Sequence, residues 1–326
     1  MRLEQIWHRA EDGAAQQPVT ITPANDAMIS SIQNEIAAAG QQAASTTSGD
    51  EVPSWFEAMI LGIVEGVTEF LPVSSTGHLI VTQRILDLPE GAASNTFAIG
   101  IQVGAITAIL VLYWRQLLTA LKTVAKPEPD RPNLLWQIVI AAIPAVGVGL
   151  MFEDWIDANL FSATVVAYML VIGGALLLVL ERFIKNRPEA TDDLASMSYR
   201  TAFLIGIWQC LALIPGTSRS GATIGGALLL GLSRAAAAEF SFLVGLPILY
   251  GASFYKLFSM RDHLTSDMAM PLAIGTVVSF VAAIAVVKPF IRFLRQHNFV
   301  PFAWYRIIGG AVLITLIARG YLGAID

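Results

Sequence analysis

Residues 61–80 read LGIVEGVTEFLPVSSTGHLI, an apolar segment that carries two glutamates, a histidine and the hydroxyl run Ser74-Ser75-Thr76. Ionisable groups are costly in hydrocarbon, so inside a membrane segment they mark a protein-lined, hydrated site. Glu65 and Glu69 are four residues apart and share one face of a helix. Pro72 has no backbone donor and a fixed φ, which predicts a helix that ends or bends at Leu71. The hydroxyl run favours a helix N-cap, so a second helix is expected from about Thr76 with His78 in its first turn. A helix interrupted at membrane depth is tolerated where it lines a cavity or is buried in protein.

Residues 205–224, IGIWQCLALIPGTSRSGATI, answer this stretch from the other half of the chain. An offset of 144 residues matches Gly62 with Gly206, Glu65 with Gln209, Ser74 with Ser218, Thr76 with Ser220 and Gly77 with Gly221. Pro72 and Pro215 miss that register by one residue. Paired broken helices of this kind mark membrane proteins built from repeats.

Composition sets the solvent. Of 326 residues, 55% are hydrophobic and 14% charged, and the mean hydropathy is +0.62; a soluble domain carries about 25% charge. The expected class is an all-α polytopic membrane protein. A net charge of -5, sorted by loop, points to no nucleic-acid partner. The single cysteine, Cys210, sits in apolar sequence and reads as a small packing residue. Residues 1–52 are polar, with no run long enough for a signal-peptide core, and read as a disordered tail or as the product of a start codon placed too far upstream. Met28, Ile29, Ile32 and Ile36 within it have helical spacing.

From residue 53 the apolar segments are expected as Trp55–Leu71 and Thr76–Leu86, then spans over 97–114, 134–151 and 162–183. The second half repeats them as 199–213 and 218–230, then spans over 234–258, 271–287 and 302–322. Each repeat, 53–186 and 199–326, is thus one re-entrant hairpin plus three spans. An odd number of crossings inverts the second against the first, giving six transmembrane helices and two opposed hairpins in an inverted repeat. Lys and Arg concentrate after the first, third and fifth spans, including Arg115, Lys122, Arg182, Lys185, Lys288, Arg292 and Arg295. Those loops are cytoplasmic by the positive-inside rule, and both termini fall outside. Gly62, Gly66, Gly173-Gly174, Gly221, Gly225 and Gly309-Gly310 read as close-packing positions. Lys256, Arg292 and Arg306 read as snorkelling side chains, and Arg234 and Glu239 as a cap or interfacial pair.

The chemistry lies in the two breaks together. Helix N-termini and Arg219 make an anion site, and Arg is suited to bidentate phosphate recognition. Glu65 and Glu69 would repel a phosphate unless they are protonated or hold a cation. Carboxylate, hydroxyl, phosphate and divalent metal together describe metal-assisted phosphoryl transfer. Mg²⁺ is the expected ion, with Ca²⁺ an alternative, and the glutamates are ligands, bases or one of each.

The segments EGVTEFLPVSSTGH and PGTSRSGAT resemble the two signature motifs of the bacterial undecaprenyl-diphosphate phosphatase family of the bacitracin-resistance type. The resemblance covers Pro53 to the C-terminus. It implies an integral enzyme of the bacterial inner membrane with its site open to the outer face and a divalent-metal requirement. Its substrate would be a polyprenyl diphosphate taken from the membrane lipid, so that the carrier is recycled for cell-wall synthesis. Carried onto this chain, the first motif supplies Glu65, Glu69, Ser75 and His78, and the second Ser218, Arg219 and Thr223. Ser75 is the nucleophile of choice, with His78 as base, acid or alternative nucleophile. Arg219 would clamp the diphosphate, and Ser74, Thr76, Ser218, Ser220 and Thr223 would donate hydrogen bonds to it. A homodimer is compatible with this reading. A polyprenyl-phosphate transporter or flippase is the alternative, since opposed broken helices also build secondary transporters.

Overall fold

A computed structural model describes residues 52–89, 91–125, 131–185, 190–259, 261 and 264–320. The expected N-terminal tail, with its helical spacing from Met28 to Ile36, lies outside the described residues. The described residues form ten α-helices: α1 (Trp55–Thr68), α2 (Ser75–Ile85), α3 (Ala92–Ala125), α4 (Leu134–Leu160), α5 (Ala163–Ile184), α6 (Tyr199–Gln209), α7 (Arg219–Leu229), α8 (Arg234–Ser259), α9 (Ser266–Leu294) and α10 (Val300–Ala318). Short 3-10 turns occupy Leu194–Ser196 and Cys210–Leu213, and no strand occurs among the described residues.

Six of these helices, α3, α4, α5, α8, α9 and α10, are long and apolar enough to cross a membrane. Many large apolar side chains on them point outward, such as Leu150, Phe183, Phe258 and Ile308. In water such a surface would be unstable; in lipid it is the wetted one. The chain is a multi-pass membrane protein.

The four shorter helices form two helix-break-helix units in one register. Adding 144 to the start of α1 gives the start of α6, and adding it to both ends of α2 gives both ends of α7. Their entrances are built alike. Ser54 caps α1 in a reciprocal box with Glu57, and Ser198 caps α6 by accepting from the Thr201 amide.

The packing exchanges partners across the two halves. Helix α1 lies on α9 and α6 lies on α4, and the equivalent glycines make both contacts. A Cβ at Gly62 would stand 2.5 Å from the Gly275 carbonyl oxygen, and one at Gly206 would stand 2.3 Å from that of Ala141. Gly66 likewise faces the Ser279 carbonyl at 2.3 Å. Close backbone approach without side chains is how membrane helices associate where lipid supplies no hydrophobic drive. Gly174 and Gly310 do the same between α5 and α10, whereas Gly309 has open space beside it and is not a packing position.

Helix lengths depart from the hydropathy expectation in both directions. Helix α1 stops at Thr68, three residues before Leu71, because the Pro72 ring excludes the carbonyl four positions back. The spans run longer: α4 continues through Glu153, Asp154 and Asp157 to Leu160. Hydropathy marks the part inside hydrocarbon, while hydrogen bonding carries the helix past it. Lys256 joins this end of α4, pairing with Glu153 at 2.7 Å and Asp157 at 2.8 Å instead of standing alone. Arg234 pairs with Glu181 of α5 at 2.5 Å, and Glu181 also accepts from the Phe299 amide, which ties α8 and the entry to α10 to α5.

Candidate active site

The two breaks meet. Ser220, in the first turn of α7, donates to the Leu71 carbonyl in the first break at 2.8 Å. Arg306 of α10 reaches both: its Nη1 donates to Pro72 O at 3.4 Å, and its Nη2 to Gly216 O at 3.0 Å and to Met169 O at 3.0 Å. Arg306 is 2% exposed, so the snorkelling expectation is wrong for it. A snorkelling side chain reaches for water, and this one spends its donors on carbonyls, two of which, those of Pro72 and Gly216, lie in the breaks without helical partners. Gly173 makes room for it, since a Cβ there would fall 2.0 Å from Nη2. Sequence reasoning missed this residue because a single arginine near a helix end looks like an interfacial anchor.

Backbone geometry at the breaks is unusual and duplicated. Ser74 has φ 70° and Ser218 φ 74°, each immediately before the first residue of a short helix. A side-chain-bearing residue in this region costs of order 1 kcal/mol or more and clusters at functional sites. Both serines are buried. The result is that Ser75 and Arg219 open α2 and α7 at equivalent positions.

Glu69 links them. The Ser75 hydroxyl donates to Glu69 Oε2 at 2.6 Å, and Arg219 Nη2 donates to Glu69 Oε1 at 3.0 Å. Arg219 is held further by Nη1, which donates to the Ser241 carbonyl at 2.8 Å, and by the Phe70 ring, whose centroid lies 5.7 Å from its Cζ. A Cβ at Gly245 would stand 2.8 Å from Arg219 Nη1, so only glycine admits the guanidinium there. Ser241, Phe70 and Gly245 escaped the sequence reading, as Ser241 and Gly245 are ordinary residues of an apolar helix and Phe70 is one apolar side chain among many.

Glu69, Ser75 and Arg219 line a cavity of about 230 Å³ together with Ser74, Thr76 and Ser218. Gln102 of α3 and Gln209 of α6 also reach it, and the Gln209 amide nitrogen is buried without a partner. A cavity of about 860 Å³ lies elsewhere, lined by Thr119, Asn133, Asp193 and Tyr199, and holds none of the residues expected to bind or cleave the substrate. We place the site at the smaller one, where the strained backbone, the ion pair and the hydroxyls converge.

The remaining expected residues divide. Ser218 Oγ accepts from the Gly221 amide at 3.1 Å, which caps α7, and lies 3.1 Å from Ser220 Oγ. Thr223 is fully buried and bonds Arg219 O at 2.7 Å and Gln209 Oε1 at 3.2 Å, supporting α7 from behind. His78 stands outside the cavity lining. Its Nδ1 lies 2.7 Å from Ser74 O and its Nε2 lies 2.7 Å from the Tyr305 hydroxyl, with the two rings stacked. A carbonyl only accepts, so Nδ1 carries a proton, and in the neutral ring Nε2 accepts from Tyr305. The base in contact with Ser75 is therefore Glu69, and His78 fixes the Ser74 carbonyl.

Glu65 is 1% exposed, and its Oε1 is enclosed without a hydrogen-bond partner. Among the described residues no three His, Cys, Asp or Glu gather into a metal cluster. A cation at Glu65 and Glu69 would take most of its shell from water and substrate oxygens, which is how Mg²⁺ is commonly held. An orphaned carboxylate oxygen one helical turn from a second carboxylate fits such an ion.

Comparison with known proteins follows the same region. A family model described as bacitracin resistance protein BacA matches residues 58–312. An undecaprenyl-diphosphatase of Enterococcus faecalis is 40% identical over 80% of this chain and 96% of its own length. That of Rhizorhabdus wittichii is 44% identical over 82% and 99%. Undecaprenyl-diphosphatase 2 of Rhodospirillum rubrum is 45% identical over 81% and 95%.

Proposed function

From the premise that the chain belongs to the bacitracin resistance protein BacA family, we propose how its two breaks carry out the family's reaction. The protein is an undecaprenyl-diphosphate phosphatase: it hydrolyses the lipid diphosphate to undecaprenyl phosphate and inorganic phosphate. The observation that carries the mechanism is the Ser75–Glu69–Arg219 chain across both breaks.

Ser75 Oγ attacks the terminal phosphorus as Glu69 takes its proton. A P–O bond to serine forms, and the bond to the bridging oxygen breaks. The leaving group is a lipid phosphate, a weak base that departs without a proton, so no acid such as His78 is required at this step. Water then attacks the phosphorus of the phosphoserine, the bond from phosphorus to Ser75 Oγ breaks as Glu69 returns its proton to that oxygen, and the water protons leave on inorganic phosphate. Incoming phosphate competes with Glu69 for Arg219, which frees the carboxylate to act as base while the guanidinium meets charge on the equatorial oxygens. Ser74, Thr76 and Ser218 donate to the remaining oxygens, and Ser220 and Thr223 hold the breaks that present them. Glu65 and Glu69 would hold a divalent cation, Mg²⁺ or Ca²⁺, which neutralises phosphate charge when bound.

In this reading α1–α2 and α6–α7 are re-entrant hairpins of an inverted repeat. Their shared 144-residue register and exchanged packing support it. The loop charges support a site open to the outside of the bacterial inner membrane, from which the polyprenyl diphosphate enters out of the lipid.

The test is release of inorganic phosphate from a C55 or C15 prenyl diphosphate by purified protein, with Mg²⁺, Ca²⁺ or EDTA. Metal-dependent release is expected. Release that EDTA leaves untouched would remove the cation from the mechanism, and no release by folded protein would remove the phosphatase.

A further inference from the structure

A second polar concavity lies at the C-terminal end of α9 and shares no lining residue with the one at the breaks. Lys288, Arg292 and Arg295 follow one another at i, i+4 and i+7, on one face of the helix and its C-cap. All three line a cavity of about 380 Å³ between α3, α8 and α9. Its apolar wall is made by Leu112 and Tyr113 of α3, both partly exposed, beside the buried Val287 and Ile291. The three cations form no ion pair with the described residues. Glu239 of α8 faces Arg295 across the cavity and is the one carboxylate in its lining, which leaves a net charge of two positive units.

Position alone explains cations at a cytoplasmic helix end, but it does not explain this arrangement. Snorkelling heads spread into water, each on its own. Here the three, all exposed, line one concavity with an apolar wall, and Arg295 also lines an adjoining cavity of about 480 Å³ with Lys185, Asp192 and Arg234, the last paired with Glu181. Two arginines supply forked donors of the geometry a phosphate accepts, and the end of a helix adds partial negative charge that holds the cations in place. Basic pockets between helices on the cytoplasmic side are where phosphate-bearing lipid headgroups dock.

We propose that this cavity binds the phosphodiester of an anionic phospholipid in the leaflet that faces the C-terminal end of α9. The ligand class is set by a phosphate that needs two or three cations and by a glyceride body that lies against the partly exposed Leu112 and Tyr113. None of these residues belongs to the phosphatase machinery, so the site and the reaction are separable.

The experiment is native mass spectrometry of the purified protein titrated with phosphatidylglycerol or phosphatidylcholine, for wild type, Arg292→Gln and the combined Lys288→Gln, Arg292→Gln, Arg295→Gln variant. With each cation contributing about fivefold, the single variant should weaken phosphatidylglycerol binding about fivefold and the combined variant roughly 100-fold. Phosphatidylcholine retention and phosphate release in detergent should stay at wild-type level. If the combined variant does not fold, the graded loss in Arg292→Gln decides. Equal phosphatidylglycerol affinity across the variants would overturn the proposal. A parallel titration with inorganic phosphate separates the other source of the same chemistry: adducts that need the three cations, without preferential lipid retention, would leave a free-ion site and overturn the lipid assignment.

Discussion

Ser74 and Ser218 lie 144 residues apart and share one backbone conformation, φ 70° at the first and 74° at the second. Each turns the chain so that the next residue, Ser75 or Arg219, opens a short helix at the junction of the two breaks. Placing a hydroxyl and a guanidinium on the same carboxylate depends on this duplicated turn.

The turn predicts an asymmetry between substitutions. Ser74→Gly should fold with an unchanged or slightly higher melting temperature, since glycine enters this region freely. Ser74→Val should lose about 1–3 kcal/mol, because a β-branched side chain is strained at positive φ. Thermal unfolding in detergent distinguishes the two, and equal stability would remove the strain from the account.

Arg306 should behave as a tie between the breaks. Arg306→Leu strips hydrogen bonds from the Pro72, Met169 and Gly216 carbonyls, at about 1–3 kcal/mol for each buried group left unsatisfied. The expected result is a large fall in melting temperature together with lost activity. A variant as stable as wild type would mean that the breaks hold without it.

Gly245→Ala is a sharper probe of Arg219. A methyl group there meets the guanidinium at 2.8 Å while the rest of α8 is untouched. Phosphate release should fall at least about tenfold, a loss typical of a misplaced catalytic group, with helix content and melting temperature close to wild type. Full activity would show that Arg219 works from another position.

Glu65→Gln should raise the Mg²⁺ concentration needed for half-maximal phosphate release by roughly tenfold or more. The mutant should still bind and cleave at saturating metal. An unchanged metal requirement would reassign Glu65 from ligand to a structural role.

His78→Phe should cost far less than Ser75→Ala, since the leaving phosphate needs no acid and His78 contacts Ser74 O and Tyr305. A rate ratio of wild type to His78→Phe below about 10² is expected, the low end of general acid–base contributions. A loss equal to that of Ser75→Ala would restore the histidine to the chemistry.

Much of this was legible in the sequence for a stated reason. Breaks in apolar helices need proline, glycine and hydroxyl residues, and a duplicated unit keeps them in register, so Ser74 with Ser218 and Gly62 with Gly206 could be paired before any coordinates. Helix ends were less legible: Pro72 acts through the carbonyl of Thr68, four residues upstream, and polar residues such as Glu153 extend a span that hydropathy closes early. Side-chain partners were least legible. The choice of Glu69 over His78 as the neighbour of Ser75, and the burial of Arg306 behind Gly173, depend on contacts between residues far apart in the chain. Hydropathy and spacing carry no information about them.

The most direct test compares steady-state phosphate release by wild type, Ser75→Ala, Glu69→Gln, Arg219→Ala and the Ser75→Ala/Glu69→Gln double variant. Each single substitution should lower kcat by about 10²–10⁴, and the double should be no slower than Ser75→Ala alone, because residues acting as one unit are not additive. Near-wild-type turnover by Glu69→Gln, or by Ser75→Ala, would contradict the account by removing the Ser75–Glu69 pair from the reaction.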